Sequence, residues 1–157
     1  MRYIAIDLGD ARTGLAIGDA ITRVVTPMDV IECSASLCGG EALLDLVQRA
    51  IESAVSSRAA CELIVGLPMN MDGTEGARAK AVRAWAERLA SRTGRRVHLQ
   101  DERLTSSEAD WSMARSGLTR KQKKERRDAL AAATILRDFL SGLGAGQDMG
   151  DDECENV

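Results

Sequence analysis

Asp7 closes a short apolar run, Tyr3-Ile4-Ala5-Ile6, and is followed by Gly9, Arg12, Gly14 and a second run, Leu15-Ala16-Ile17. A carboxylate at a strand end, with glycines clearing the space beside it, can hold a divalent metal and let a bulky charged substrate approach the backbone. More acids stand far downstream, in Asp101-Glu102-Arg103-Leu104-Thr105 and in Asp128-Ala129-Leu130-Ala131-Ala132. Carboxylates packed together repel and raise each other's pKa, so they are tolerated chiefly when a cation neutralises them. Three separated acids therefore suggest a Mg²⁺ or Mn²⁺ site that cleaves phosphodiesters, a chemistry that requires neither His nor Cys. Taken singly, Asp7 reads equally as a strand-ending turn former, Asp101-Glu102 as a solvated strand end and Asp128 as an early-turn acid favoured by the helix dipole. Their joint occurrence in one element order favours the site.

The elements that must position these acids are legible from apolar spacing. Runs at 3–8, 14–18 and roughly 22–32, separated by short turn signals, predict three strands in an antiparallel meander. From Glu41 to Ser56 the residues Leu43, Leu44, Leu46, Val47, Ala50, Ile51 and Ala54 recur at helical spacing after a Gly39-Gly40 break. Leu63-Ile64-Val65-Gly66 is a short unbroken apolar run of the kind buried on both faces, which fits a parallel crossover strand. A helix from about Glu75 to Ser91, with Ala79, Val82, Trp85, Ala86 and Leu89 on one face, ends at Thr93-Gly94. Arg96 to Gln100 predicts another strand. Thr105 or Ser106 is a candidate N-cap for a helix to about Ser116, and a last helix spans about Lys124 to Leu140. The class is α/β, a mixed sheet of three antiparallel strands and then parallel strands, with helices on both faces. Asp7 ends the first strand, Asp101-Glu102 the last, and Asp128 begins the final helix, so all can meet at one sheet edge.

At 157 residues the chain has length for one domain, expected over 1–143, followed by an acidic tail over 144–157. Aromatic residues make up only 3%, so the core must rely on Leu, Ile, Val, Ala and Met. The net charge is −3, but it is unevenly spread. Between Arg115 and Arg127 seven basic residues face one acid, giving +6 there and −9 elsewhere. A polyanion feels such a patch locally, within about 8 Å at physiological salt. Cys33, Cys38, Cys61 and Cys154 form no C-x-x-C pair, and His98 is the single histidine, so a structural zinc site is not expected. No apolar run approaches the roughly 20 residues that span a bilayer. The expected setting is a reducing cytoplasm, without membrane contact.

Four blocks now carry a resemblance: Asp7-x-Gly9-x-x-Arg12-x-Gly14-x-Ala16-x-x-Asp19; Val65-Gly66-Leu67-Pro68 with Asn70-Met71-Asp72-Gly73-Thr74-Glu75; Asp101-Glu102-Arg103-Leu104-Thr105; and Asp128-x-x-Ala131-Ala132-x-x-Ile135-Leu136. Together, over roughly residues 2–141, the chain resembles the YqgF/RuvX group of ribonuclease H-like proteins, described as nucleases that process pre-16S rRNA and as Holliday junction resolvases. The resemblance implies a ribonuclease H-like fold, with catalytic acids Asp7, Glu102 and Asp128 and metal ligands Asp7, Asp101, Glu102 and Asp128 for Mg²⁺ or Mn²⁺. Either Asp101 or Glu102 could face the metal, because neighbours on a strand point to opposite sides; Glu102 is preferred. The implied substrates are structured RNA, above all precursor rRNA at its 5′ end, or branched DNA, acted on by a monomer or homodimer. The acidic tail is not part of the shared pattern.

Arg12 and Arg103, each near a proposed ligand, could clamp a phosphate in bidentate fashion, or pair with a local Asp such as Asp10 or Asp19. The basic run Arg120, Lys121, Lys123, Lys124, Arg126 and Arg127 precedes Asp128 and could grip backbone phosphates, where most charge runs are solvated faces. Few aromatics are available for stacking bases, which favours structured nucleic acid over single strands. Asn70 to Thr74 reads as a substrate-side loop or as a helix cap at Thr74. Trp85 reads as core, Trp111 is open, and Met69 and Met71 read as loop packing. The first block also resembles the phosphate-binding hairpin of actin-like and sugar-kinase ATPases, which need two such lobes. A non-catalytic nucleic-acid-binding protein is the other rival.

Overall fold

The computed structural model describes residues 1–56, 59–104 and 120–145, with Leu37, Cys38, Leu104 and residues 120–126, 144 and 145 described by their backbone alone. Five strands form one sheet: β1 (Arg2–Leu8), β2 (Arg12–Asp19), β3 (Val25–Glu32), β4 (Cys61–Leu67) and β5 (Val97–Asp101), in the order β3-β2-β1-β4-β5. The β1/β2 and β2/β3 pairs are antiparallel, whereas β1/β4 and β4/β5 are parallel. Among the described residues the α-helices are α1 (Glu41–Ala54), α2 (Ala77–Thr93) and α3 (Arg120–Ala145). This is the α/β mixed sheet expected from the sequence.

Helices cover both faces. Strand alternation sends Ile4, Ile6, Leu8, Leu15, Leu63 and Val65 to one side, where they pack with Leu43, Leu44, Val47 and Ile51 of α1 and Val82, Trp85, Ala86 and Leu89 of α2. Tyr3, Ala5, Ala16 and Ile64 face the other side, against Ala132, Ala133, Ile135, Leu136 and Leu140 of α3. β4 contributes to both cores, which is why its run is continuously apolar. Between α1 and α2, Arg92 pairs with Glu41 at 2.8 Å and with Asp45, and Arg88 pairs with Glu41. Gly94, at φ 64°, terminates α2 in the left-handed conformation, the stop read from Thr93-Gly94.

Several boundaries differ from the sequence reading. α2 begins at Ala77 after Gly76, with no side-chain cap, so Thr74 does not cap it. α3 starts at Arg120 rather than Lys124, because Arg, Lys and Gln are strong helix formers that extend a helix without adding apolar periodicity. It also continues through Gly142 and Gly144 to Ala145. Asp128 is consequently its ninth residue and not a first-turn acid, which removes the dipole reading of that carboxylate. Met69 packs against the core, but Met71 is 97% exposed and packs nothing. Trp85 is core, at 5% exposure. The helix expected after Thr105 or Ser106, Trp111 and the tail from residue 146 lie outside the described residues. Among the described residues no helix is long and apolar enough to cross a membrane.

Candidate active site

The acids gather on the α3 face of the sheet, at the ends of β1 and β5. Asp7 lies opposite Gly14 across the β1/β2 ladder, and alternation gives it the same face as Tyr3 and Ala5. Gly14 is required there by close approach: a Cβ on it would lie 2.0 Å from the backbone oxygen of Asp128. The backbone of α3 therefore rests directly on β2 at the turn that carries Asp128. Gly66 plays the same part on β4, since its Cβ would stand 2.1 Å from Glu102 Oε1 and 2.7 Å from Ile135 Cδ1. Gly9 forms the β1–β2 turn, donating its N–H to the Arg12 carbonyl at 2.9 Å. Gly14 and Gly66 are thus the spaces into which the Asp128 backbone and the Glu102 carboxyl fit.

Asp101 and Glu102 separate because the strand ends between them: Asp101 is the last residue of β5 and Glu102 opens a 3-10 turn, Glu102–Leu104. Glu102 is hydrogen-bonded to Asp7. Asp101 instead accepts from Arg103, through Nε at 2.9 Å and Nη2 at 2.6 Å, which holds its carboxyl below the ordinary aspartate range. Burial, then the charge and hydrogen bond of Asp7, push Glu102 up from 4.5 to about 7. Burial is also the main cause that raises Asp7, with the Asp128 charge adding to it. The pair therefore shares a proton near neutrality, with the Glu102 carboxylic acid donating to the Asp7 carboxylate.

Asp128 meets a cation from the protein. Arg12 on β2 lies between Glu32 of β3, at 3.1 Å, and Asp128 Oδ2, at 3.9 Å. Both Arg12 Nη1 and Asp128 Oδ2 are buried without a hydrogen bond, so the contact is ionic and poorly satisfied. The pairing of Arg12 with Asp10 or Asp19 does not occur. Among the described residues no three His, Cys, Asp or Glu side chains stand at the spacing of a formed metal site. The donor set still suits a hard cation: oxygen ligands only, two of them joined by a proton and the third held by a weakly bonded guanidinium.

The remaining residues singled out by sequence scatter. Arg103 packs against the turn at Gly73, whose loop is held by hydrogen bonds among Asn70, Asp72 and Thr74. Arg127 is exposed on α3. The side chains of Arg120, Lys121, Lys123, Lys124 and Arg126 lie outside the described residues. Two functional candidates were not singled out. Glu32 has no sequence signal beyond closing a strand. Arg78 does have one: it stands in the first turn of α2, where a basic residue opposes the helix dipole. Its Nη2 donates to the Leu8 carbonyl at 3.3 Å, its Nη1 lies 3.4 Å from Asp10, and its charge acts on both Asp7 and Glu102.

Comparison with known proteins follows this geometry. A family model described as "RuvX: Holliday junction resolvase" matches residues 1–142. A protein of Anaeromyxobacter sp. (strain Fw109-5) named "Putative pre-16S rRNA nuclease" is 40% identical over 92% of this chain and 100% of its own length. A protein of the same name from Moorella thermoacetica is 34% identical over 92% of this chain and 97% of its own. Among solved structures, T. thermophilus RuvC in complex with a Holliday junction substrate superposes with a TM-score of 0.50 at 13% identity, covering 92% of this chain and 96% of that one. That likeness extends the ribonuclease H-like reading of the fold, while the sequence matches identify the family: this chain belongs to the RuvX family.

Proposed function

We propose that this protein is a divalent-cation-dependent nuclease that hydrolyses phosphodiester bonds in structured nucleic acid, with the precursor of small-subunit rRNA as its substrate. The observation that carries the proposal is the convergence of Asp7, Glu102 and Asp128 on one edge of the sheet, from positions as far as 121 residues apart. Gly14 admits the α3 backbone that carries Asp128, and Gly66 together with the turn at Glu102–Leu104 admits the Glu102 carboxyl. A divalent cation, when bound, supplies the positive charge that offsets these carboxylates and the anionic phosphodiester. The chain's own contribution is to seat Asp7 and Glu102 side by side, to release their shared proton, and to hold Asp128 on a rigid helix. Arg12, Arg78 and Arg103 supply guanidinium groups around the acids that can orient a phosphate. The relatives' name supports rRNA; the family description supports junction DNA as the second reading, in which a dimer cuts two strands symmetrically.

The test is cleavage of a precursor rRNA fragment and of a four-way DNA junction side by side, with Mg²⁺, Mn²⁺ or EDTA. The expected result is cation-dependent cleavage of the RNA by wild type and none by Asp7→Asn. Symmetric nicks in the junction with intact RNA would establish the second reading. Equal binding by both proteins without cleavage would reduce the chain to a binding protein.

A further inference from the structure

The polar residues along β5 on the α3 side of the sheet have no part in the reaction as described. Val97 and Leu99 pack into the α1/α2 core, so alternation turns Arg96, His98 and Gln100 to the other face, together with Glu62 and Gly66 of β4. Ring contacts agree: the His98 centroid lies 5.0 Å from Phe139 of α3 and 6.5 Å from Tyr3 of β1. This is also the face on which the Glu102 carboxyl stands over Gly66. One line of side chains therefore runs from the acids through Gln100 to His98 and Arg96. α3 packs chiefly on β1, β2 and β3, so it flanks this line.

At the far end of the line three polar groups stand unspent. His98 Nε2 meets Glu62 Oε2 at 2.6 Å, with the two side chains 23% and 20% exposed. That contact fixes the ring, engages the Glu62 carboxylate and leaves Nδ1, which becomes a second N–H donor when the ring is protonated. Arg96 is exposed and makes no ion pair among the described residues. Its charge acts on the Tyr3 hydroxyl, which places the two side by side. Neither His98 Nδ1 nor Tyr3 Oη makes a hydrogen bond among the described residues, and neither is sealed from water. A guanidinium, a hydroxyl and an imidazolium are the donors that hold a phosphate. Spacing completes the case. His98 precedes Glu102, and Tyr3 precedes Asp7, by four residues, roughly 13 Å along the strands. A stacked nucleic-acid strand advances about 3.4 Å per phosphate, so it covers that distance in about four nucleotides, and in fewer when extended.

We propose that the strip between α3 and the outer edge of β5 carries the substrate strand away from the acids, and that Arg96, His98 and Tyr3 hold one of its phosphates about two to four nucleotides from the cut. The inference rests on the nuclease reading and deepens it, by placing a grip on the strand outside the acids that reads phosphate and not base sequence.

The experiment measures binding in EDTA, by fluorescence anisotropy, of whichever substrate the protein cleaves. In a series of such substrates one phosphate at a time, at successive positions on either side of the cut, is replaced by a neutral methylphosphonate. For wild type, one position about two to four nucleotides from the cut weakens binding about three- to tenfold, the value of a hydrogen bond to a charged group. Arg96→Gln, an exposed change outside the core, loses sensitivity at that position alone and lowers the slope of log affinity against log salt by about one. Tyr3→Phe, which keeps the ring but not the hydroxyl, reduces the same sensitivity. In cleavage, Arg96→Gln raises KM and leaves kcat unchanged, as expected for a grip made equally in ground and transition states. A series with no sensitive position in that range, or the same sensitivity in Arg96→Gln as in wild type, with cleavage intact, overturns the phosphate site and leaves the nuclease reading standing. Wild type that neither binds nor cleaves RNA or junction overturns both.

Discussion

The two faces of the sheet are built from residues of different size, and the difference divides stability from function. Toward α1 and α2 the strands present Ile4, Ile6, Leu15, Leu63 and Val65, met by Leu43, Leu44, Val47, Ile51 and Leu89. Each such side chain contributes about 1.5–3 kcal/mol when buried. Toward α3 the core still holds Tyr3, Ile64, Ile135, Leu136 and Leu140, but β1 and β2 present Ala5 opposite Ala16, then Asp7 opposite Gly14, and α3 adds Ala132 and Ala133 there. Small residues contribute little burial, but they bring backbones together. That proximity puts a carboxylate of a helix beside one of a strand. The thick layer holds the sheet rigid, and the thin layer uses that rigidity to position acids that repel.

One pair of substitutions tests this division with the largest effects. Leu44→Ala, on the thick face, should cost about 2–5 kcal/mol in denaturant unfolding while leaving cation affinity unchanged. Gly14→Ala must push α3 away from a contact of 2.0 Å, costing about 1–3 kcal/mol or somewhat more. Its cation affinity should fall as well, because Asp128 moves with the helix. Equal loss of affinity in both variants would mean that the faces are not separable.

The second prediction concerns pH and sharpens the contrast from the thin side. Glu102 holds its proton to about 7 in the fold, against 4.5 ordinarily. Between those values the folded state binds more protons than the unfolded one, so metal-free stability falls as pH rises through the window and levels off above it. The loss is on the order of 2 kcal/mol once solvent screening of this partly exposed carboxyl is allowed for. Glu102→Gln should flatten the curve in thermal unfolding across this range, whereas Leu44→Ala should lower it uniformly. Cation affinity should climb over the same window, since binding releases the shared proton. A Tm that rises with pH in the metal-free wild type would contradict this.

How much of this was legible in the sequence depended on which force set each feature. The stripe Ala79, Val82, Trp85, Ala86 and Leu89 is buried as read, because apolar periodicity and a Gly stop act together. The start of α3 was missed because Arg120 to Arg127 carry no periodicity. Strand alternation could not choose between Asp101 and Glu102, since the strand stops between them and a turn redirects the second. Arg78 was overlooked despite its awkward place at a helix start, and Glu32 is visible only through the β2/β3 register, which pairs it with Arg12.

That pairing yields the smallest effect. Arg12 is shared by Glu32 and Asp128, so removing the first partner leaves the guanidinium to compete with a cation for the second. Glu32→Gln should weaken Mn²⁺ binding about two- to fivefold by isothermal titration, in keeping with one exposed ion pair. Unchanged or tighter binding would show that Arg12 does not oppose the cation.

The most direct measurement is Mn²⁺ binding to the metal-free protein well above pH 7, followed by the EPR signal of the free ion, for wild type, Asp7→Asn, Asp128→Asn and Asp101→Asn. Asp7→Asn and Asp128→Asn should each bind at least about tenfold more weakly, since even groups that merely support ligands are worth that much. Asp101→Asn should bind as wild type does, because Asp101 is spent on Arg103. Wild-type affinity in Asp7→Asn, or its loss in Asp101→Asn, would contradict the account.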